Sequence, residues 1–193
     1  MPDPGARDRR RNLPDTACLI ASQHQAYFDG FIWMTLVKRP AYVIKQELTR
    51  IPFIGPMLLL SGMVPVERAA GAKALRSLMK ATQDHFDEGR QIIIFPEGTR
   101  TTPGERAPLQ PGIVALAKQA AAPVIPVATN SGKHWPRRGW IMTPGEIVIA
   151  IGAPLPANAG RLSLIESIYN SWDTLCEKNG LPRPVDNSVD PVR

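Results

Sequence analysis

Apolar residues fall into two kinds of run along this chain. Short continuous runs bounded by polar or turn residues lie at Cys18–Ala21, Ala41–Ile44, Val64–Val66, Gln91–Phe95, Pro123–Ala128 and Glu146–Ile151. Each reads as a short buried strand. Longer segments with apolar positions at roughly helical spacing occupy Phe31–Val37, Ala69–Gly89, Pro111–Ala121 and Arg161–Lys178. The second is closed by a glycine and the third is opened by a proline in its first turn, as helices prefer. Strands alternating with helices predict a single α/β domain, a mostly parallel central sheet flanked by helices.

One segment fits neither pattern. Between Leu48 and Met63 the residues Ile51, Phe53, Ile54, Met57, Leu58, Leu59 and Leu60 are apolar nearly all round, interrupted by Pro52, Gly55 and Pro56. A buried helix is the first expectation. An interfacial helix or the wall of an acyl-chain tunnel is the alternative. Residues 1–15 are polar, with Arg7, Arg9, Arg10, Arg11 and three prolines, and read as a basic disordered arm with an attraction for anionic lipid headgroups. Residues 16–179 form the folded domain, and residues 180–193 a Pro-rich tail. Thr101–Gln110 reads as a polar loop able to move over a site, and His85 as a solvated position on the Ala69–Gly89 helix.

With 193 residues and 44% hydrophobic content, the chain suffices for one domain with a real core. Its net charge of +6 favours anionic partners: phosphate esters, anionic lipid surfaces or nucleic acid. The basic and aromatic stretch Asn130–Arg138 is too short, and too unlike any nucleic-acid module, to favour the last. Cys18 and Cys176 lie far apart and form neither a disulfide framework nor a metal site, as in a cytosolic interior. No apolar run reaches the roughly 18 residues that span a bilayer, and no signal peptide is evident, so the expectation is a chain that neither spans a membrane nor is exported.

Candidate chemistry begins at Ser22–Asp29. His24 follows the first strand and Asp29 stands at or near the start of the next helix, at the carboxyl end of the sheet where α/β folds place their clefts. On a straight helix these two side chains would point roughly 140° apart, so they meet only if the segment bends. There the carboxylate holds one imidazole nitrogen and the other faces a substrate hydroxyl as general base. The pair alone suits an N-cap and a surface histidine equally well. A second loop, Phe95-Pro96-Glu97-Gly98-Thr99-Arg100, leaves the Gln91–Phe95 strand at the same end.

With His24-xxxx-Asp29 followed by Phe95–Arg100, and with Gly62–Arg68 and Val124–Val127 in the matching order, the chain resembles the 1-acylglycerol-3-phosphate acyltransferase (lysophosphatidate acyltransferase) family over roughly Cys18 to Pro156. The resemblance implies acyl transfer from acyl-CoA or acyl carrier protein to the free hydroxyl of lysophosphatidic acid, giving phosphatidic acid. It implies no cofactor, no metal, and a peripheral location on the cytoplasmic face of the inner membrane. His24 is then the base and Asp29 its orienter. Arg68 and Arg100 are the phosphate ligands, since a guanidinium fork matches phosphate oxygens, with Lys45 a third candidate. Glu97 binds the acceptor glycerol or, preferably, holds Arg100. Gly98, with Thr99 beside it, allows close backbone approach and amide donation. Gly-x-Ser-x-Gly is absent, which favours direct attack over an acyl-enzyme. Gln23 and Gly30 depart from the family's usual residues and bear on acceptor preference. Another lysophospholipid or a lyso-aminolipid is an alternative acceptor, and a non-catalytic lipid- or phosphate-binding protein is the alternative of a different class.

Overall fold

The computed structural model describes residues 12–67, 71–136, 141–157 and 160–185. Strands β1 (Cys18–Ser22), β2 (Pro40–Lys45), β3 (Val64–Val66), β4 (Gln91–Ile94), β5 (Val124–Thr129) and β6 (Ile149–Ile151) form one sheet in the order β3-β2-β4-β1-β5-β6. Five run parallel, and β6 is antiparallel at the edge beside β5. The three middle strands β4, β1 and β5 are buried at every position, which is why they read as unbroken apolar runs rather than alternating ones. The sixth strand is shorter than its sequence run suggests, since Glu146 to Val148 approach it without joining the ladder; Val148 N–H instead donates to Asn130 Oδ1 at 2.8 Å.

The helices are α1 (Asp29–Leu36), α2 (Ile54–Leu60), α3 (Gly71–Asp87), α4 (Gly112–Ala120), α5 (Ser131–His134) and α6 (Arg161–Asn179). One face of the sheet carries the larger core, where Leu78 and Phe86 of α3, Ile113 and Leu116 of α4, and Leu164, Ile168 and Trp172 of α6 pack on Leu19, Ile92 and Val124. The other face carries a smaller core of Ile20, Ile93, Ile125 and Val127 under Trp33 of α1, with Leu58 of α2 and Leu13 beside it. Both cysteines are buried and free, and burial pushes the Cys18 thiol up to about 12 and the Cys176 thiol up to about 11.

The Leu48–Met63 segment is not a buried helix. A 3₁₀ turn (Gln46–Arg50), a turn at Ile51–Phe53 and the seven-residue α2 take its place. Pro52 and Pro56 lack the N–H a longer helix would need, and the Cβ of any residue replacing Gly55 would lie 2.0 Å from the Thr49 carbonyl oxygen. Most of its large apolar side chains face outward. His85 is also not solvated: it is half-buried against Arg90 and Glu88, and burial followed by the Arg90 charge lowers its pKa. The 101–110 loop is anchored, through Glu105 bridged to Val185 and Gln110 N–H bonded to the Pro96 carbonyl.

Candidate active site

β1 and β4 are parallel neighbours with Ala21 opposite Ile94, so the loops that leave them start side by side. His24 lies two residues past the end of β1, and the chain bends there before α1. The bend brings the Asp29 carboxylate under the imidazole: His24 Nδ1 and Asp29 Oδ2 are 3.4 Å apart, at the long end of a hydrogen bond. The same oxygen accepts the backbone N–H groups of Gln25 at 2.7 Å and Ala26 at 2.8 Å. Asp29 is buried and thus serves as both loop staple and imidazole partner. An ionised carboxylate only accepts, so Nδ1 is the protonated nitrogen and Nε2 carries the lone pair. The imidazole stacks on Phe95 with ring centroids 4.1 Å apart, which fixes its plane, while about a fifth of its side-chain surface remains open.

Glu97 is buried in the adjoining loop. Its Oε2 accepts the His24 backbone N–H at 2.7 Å and its Oε1 lies 3.1 Å from Thr101 Oγ1. Thr101 in turn donates its backbone N–H to the His24 carbonyl at 2.7 Å. Through these contacts Glu97 braces the histidine loop. Burial pushes its carboxyl up to about 8, aided by the negative charges of Asp29 and Glu105 and opposed by the His24 amide and the Thr101 hydroxyl. Gly98 has φ of +73° and donates its own N–H to the Phe95 carbonyl, closing the turn. That amide is therefore engaged in the turn.

The Arg100 guanidinium lies 4.0 Å over the ring of Tyr27, which itself leans toward Trp135 with centroids 6.4 Å apart. Thr99 is exposed beside it. Lys45 stands exposed at the carboxyl end of β2, two strands from β1. Arg68 lies outside the described residues. Gln23 is buried, its Oε1 accepting the Thr129 N–H at 3.1 Å, so it joins the end of β1 to β5. Gly30 has open space where a Cβ would stand, so the departure there removes no contact.

Below this rim, between α3, α4 and the ends of β2 to β4, runs a groove of about 310 Å³ lined by Val43, Val66, Leu75, Leu78, Ile94 and Phe95. Phe95 joins the groove to the imidazole. Among the described residues no cluster of three or more His, Cys, Asp or Glu side chains is placed to hold a metal. Sequence reading alone missed Tyr27, Gln25 and Thr101 as parts of the site, and the stacking role of Phe95. Tyr27 and Gln25 lie inside the His24–Asp29 interval, whereas the Thr101 contact joins two loops 77 residues apart.

A family model described as Acyltransferase matches residues 7–130. The 1-acyl-sn-glycerol-3-phosphate acyltransferase of Pseudomonas aeruginosa is 36% identical over 146 residues, covering 76% of this chain and 57% of that protein. Human 1-acyl-sn-glycerol-3-phosphate acyltransferase beta is 27% identical over 154 residues, covering 79% and 55%. The crystal structure of the 1-acyl-sn-glycerophosphate (LPA) acyltransferase PlsC from Thermotoga maritima superposes with a TM-score of 0.74 at 23% identity, covering 89% of this chain and 70% of that one, which places the two in the same fold. The chain spans about half the length of the curated relatives it matches.

Proposed function

The chain belongs to the acyltransferase family, and from that premise we propose that it moves a fatty acyl group from acyl-CoA or acyl carrier protein to the sn-2 hydroxyl of 1-acylglycerol-3-phosphate, giving phosphatidic acid. The observation that carries this reading is the imidazole of His24, held between Asp29 and the Phe95 ring at the mouth of an apolar groove.

His24 Nε2 takes the proton of the acceptor hydroxyl as its oxygen attacks the thioester carbonyl. Asp29 stabilises the imidazolium that forms. The tetrahedral oxyanion collapses, the C–S bond breaks, and the leaving thiolate takes the proton from Nε2, so base and acid are the same nitrogen and the enzyme returns to its starting state. The groove takes the acyl chain. Arg100, oriented on Tyr27, is the ligand of the acceptor's phosphate, with Arg68 and Lys45 as further cations for it, and Gly98 and Thr99 frame the approach. The reaction needs no cofactor beyond the acyl donor. Anionic membrane, as the source of acceptor, is the protein's surface of action, peripherally on the cytoplasmic face of the inner membrane.

The test is product identification with the purified chain, long-chain acyl-CoA or acyl carrier protein, and lysophosphatidic acid offered beside a lysophospholipid with a zwitterionic headgroup and a lyso-aminolipid. Phosphatidic acid as the main product supports the proposal. Acylation of another acceptor at higher kcat/KM reassigns the substrate, and lipid binding without turnover from any donor supports the binding-only alternative.

A further inference from the structure

α1 and α2 both lie on the sheet face that carries the smaller core, to which α1 contributes Trp33 and against which Leu58 of α2 packs. Each follows a strand's carboxyl end, so each begins at the rim that holds His24 and descends toward the opposite edge, where Met34 and Ser61 line one cleft. Their outer surfaces are apolar. Phe31 is 63% exposed on α1, and Phe53, Met57 and Leu60 are 87%, 65% and 88% exposed on and before α2. Met34, Ile54 and Leu59, on the same two helices, are exposed as well. A soluble surface rarely gathers so many large apolar side chains on two neighbouring helices without a partner.

Phe53 is the sharper observation. Its backbone is at φ +64°, ψ −42°, with Ile54 N–H bonded to the Pro52 carbonyl at 2.7 Å, the rare positive-φ form of the γ-turn. A bulky aromatic is disfavoured there, and the turn holds its ring out of the protein rather than in the core.

Charge identifies the occupant. From Gly30 to Val66 the basic residues Lys38, Arg39, Lys45 and Arg50 stand against one acidic residue, Glu47. Lys38 meets Asp15 and Arg39 meets Glu88 at the opposite edge, while Lys45 and Arg50, at and past the carboxyl end of β2, are exposed on the His24 side. The chain also enters the described structure on this side: Leu13 packs in the smaller core, and Arg7, Arg9, Arg10 and Arg11 precede it in sequence. An apolar surface with cations beside it matches a bilayer whose headgroups are anionic.

We propose that the exposed face of α1 together with the Ile51–Leu60 segment is the surface by which the protein docks on an anionic lipid bilayer, with Phe53, Met57 and Leu60 entering the acyl-chain region. The proposal rests on the membrane location given above and specifies the face, and through it the orientation: the His24 rim, from which both helices start, lies beside the lipid.

Co-sedimentation with vesicles tests it, using phosphatidylcholine alone and phosphatidylcholine mixed with phosphatidylglycerol, without acyl donor or lyso acceptor, so that its outcome is independent of turnover. The parent chain is expected to sediment with the mixed vesicles. Phe53→Asp with Leu60→Glu is expected to lower partitioning at least tenfold, with the melting temperature held or raised because Asp tolerates positive φ better than Phe. Leu162→Glu, at an exposed apolar position on α6 against the opposite core, is expected to leave it unchanged. No binding by the parent, equal loss in both variants, or loss in neither overturns the proposal. So does a parent dimer that the first variant dissociates without any vesicle binding, since a second copy then covers the face.

Discussion

The Oε2 atom of Glu97 accepts the backbone N–H of His24 at 2.7 Å, tying two loops 73 residues apart in sequence. Deleting that acceptor leaves a part-buried amide without its partner. Glu97→Ala is therefore expected to cost about 1–3 kcal/mol of stability and to loosen His24, lowering kcat more than it raises KM. Glu97→Gln keeps an acceptor for His24 and a group able to donate to Thr101 Oγ1. Urea unfolding of the two variants beside the parent should place the glutamine form close to the parent and the alanine form well below it.

Burial that raises the Glu97 carboxyl from 4.5 to about 8 also ties stability to pH. The folded state holds this proton more tightly than the unfolded chain does. The stabilisation is fully present below about 4.5 and is lost as pH rises through about 8. Against Glu97→Gln, which cannot titrate, the urea midpoint of the parent should fall progressively between these limits, and a constant difference from pH 5 to 8 would contradict the burial argument.

Asp29 orients His24 and staples the amides of Gln25 and Ala26 with one oxygen. Asp29→Asn can keep the staple through its amide oxygen, but it no longer stabilises an imidazolium. A fall in kcat of about a hundredfold or more with a stability change near 1 kcal/mol is expected, read from steady-state rates beside thermal melts. A loss of rate matched by global unfolding would assign Asp29 to the fold alone.

The half-buried Arg100 places its guanidinium on the exposed ring of Tyr27, where such a contact is worth about 0.5–1 kcal/mol. Tyr27→Leu should thus raise KM for the phosphorylated acceptor by roughly two- to fivefold with kcat little changed, and Tyr27→Phe should restore it. Arg100→Ala should raise the same KM at least tenfold while leaving KM for the acyl donor near its parent value. Equal effects on donor and acceptor would place Arg100 elsewhere in the reaction.

The elements that read clearly from the sequence are those whose environment is uniform. β1, β4 and β5 are buried on both faces, so their apolar runs carry the signal directly, and the two loops at their carboxyl ends follow from the parallel pairing. The Ile51–Leu60 segment misled because hydrophobicity reports a preference for leaving water without saying what replaces it. Pro52, Gly55 and Pro56 were visible, but the outward turn of Phe53 depends on a backbone conformation that composition does not encode. Contacts across long separations were equally hidden. The Glu97 to His24 bond, the stack of Arg100 on Tyr27, and the fit of Gln25 over Gly132, whose added Cβ would lie 2.9 Å from the Gln25 Cβ, all require the strand order β4-β1-β5 before they can be drawn. The family resemblance supplied the candidate residues, and the structure adds the bond from Glu97 to the His24 loop, the turn closed by the Gly98 amide and the Gln23 link from β1 to β5.

The central claim is that the Nε2 lone pair of His24 carries the proton in acyl transfer. Its most direct test is thiol release from long-chain acyl-CoA, or from acyl carrier protein, by the purified chain with lysophosphatidic acid in mixed micelles, run beside His24→Ala of matched melting temperature. Acceptor-dependent release in the parent that falls by at least a hundredfold in the variant is the predicted result. Release that persists in His24→Ala at a comparable rate would contradict the account.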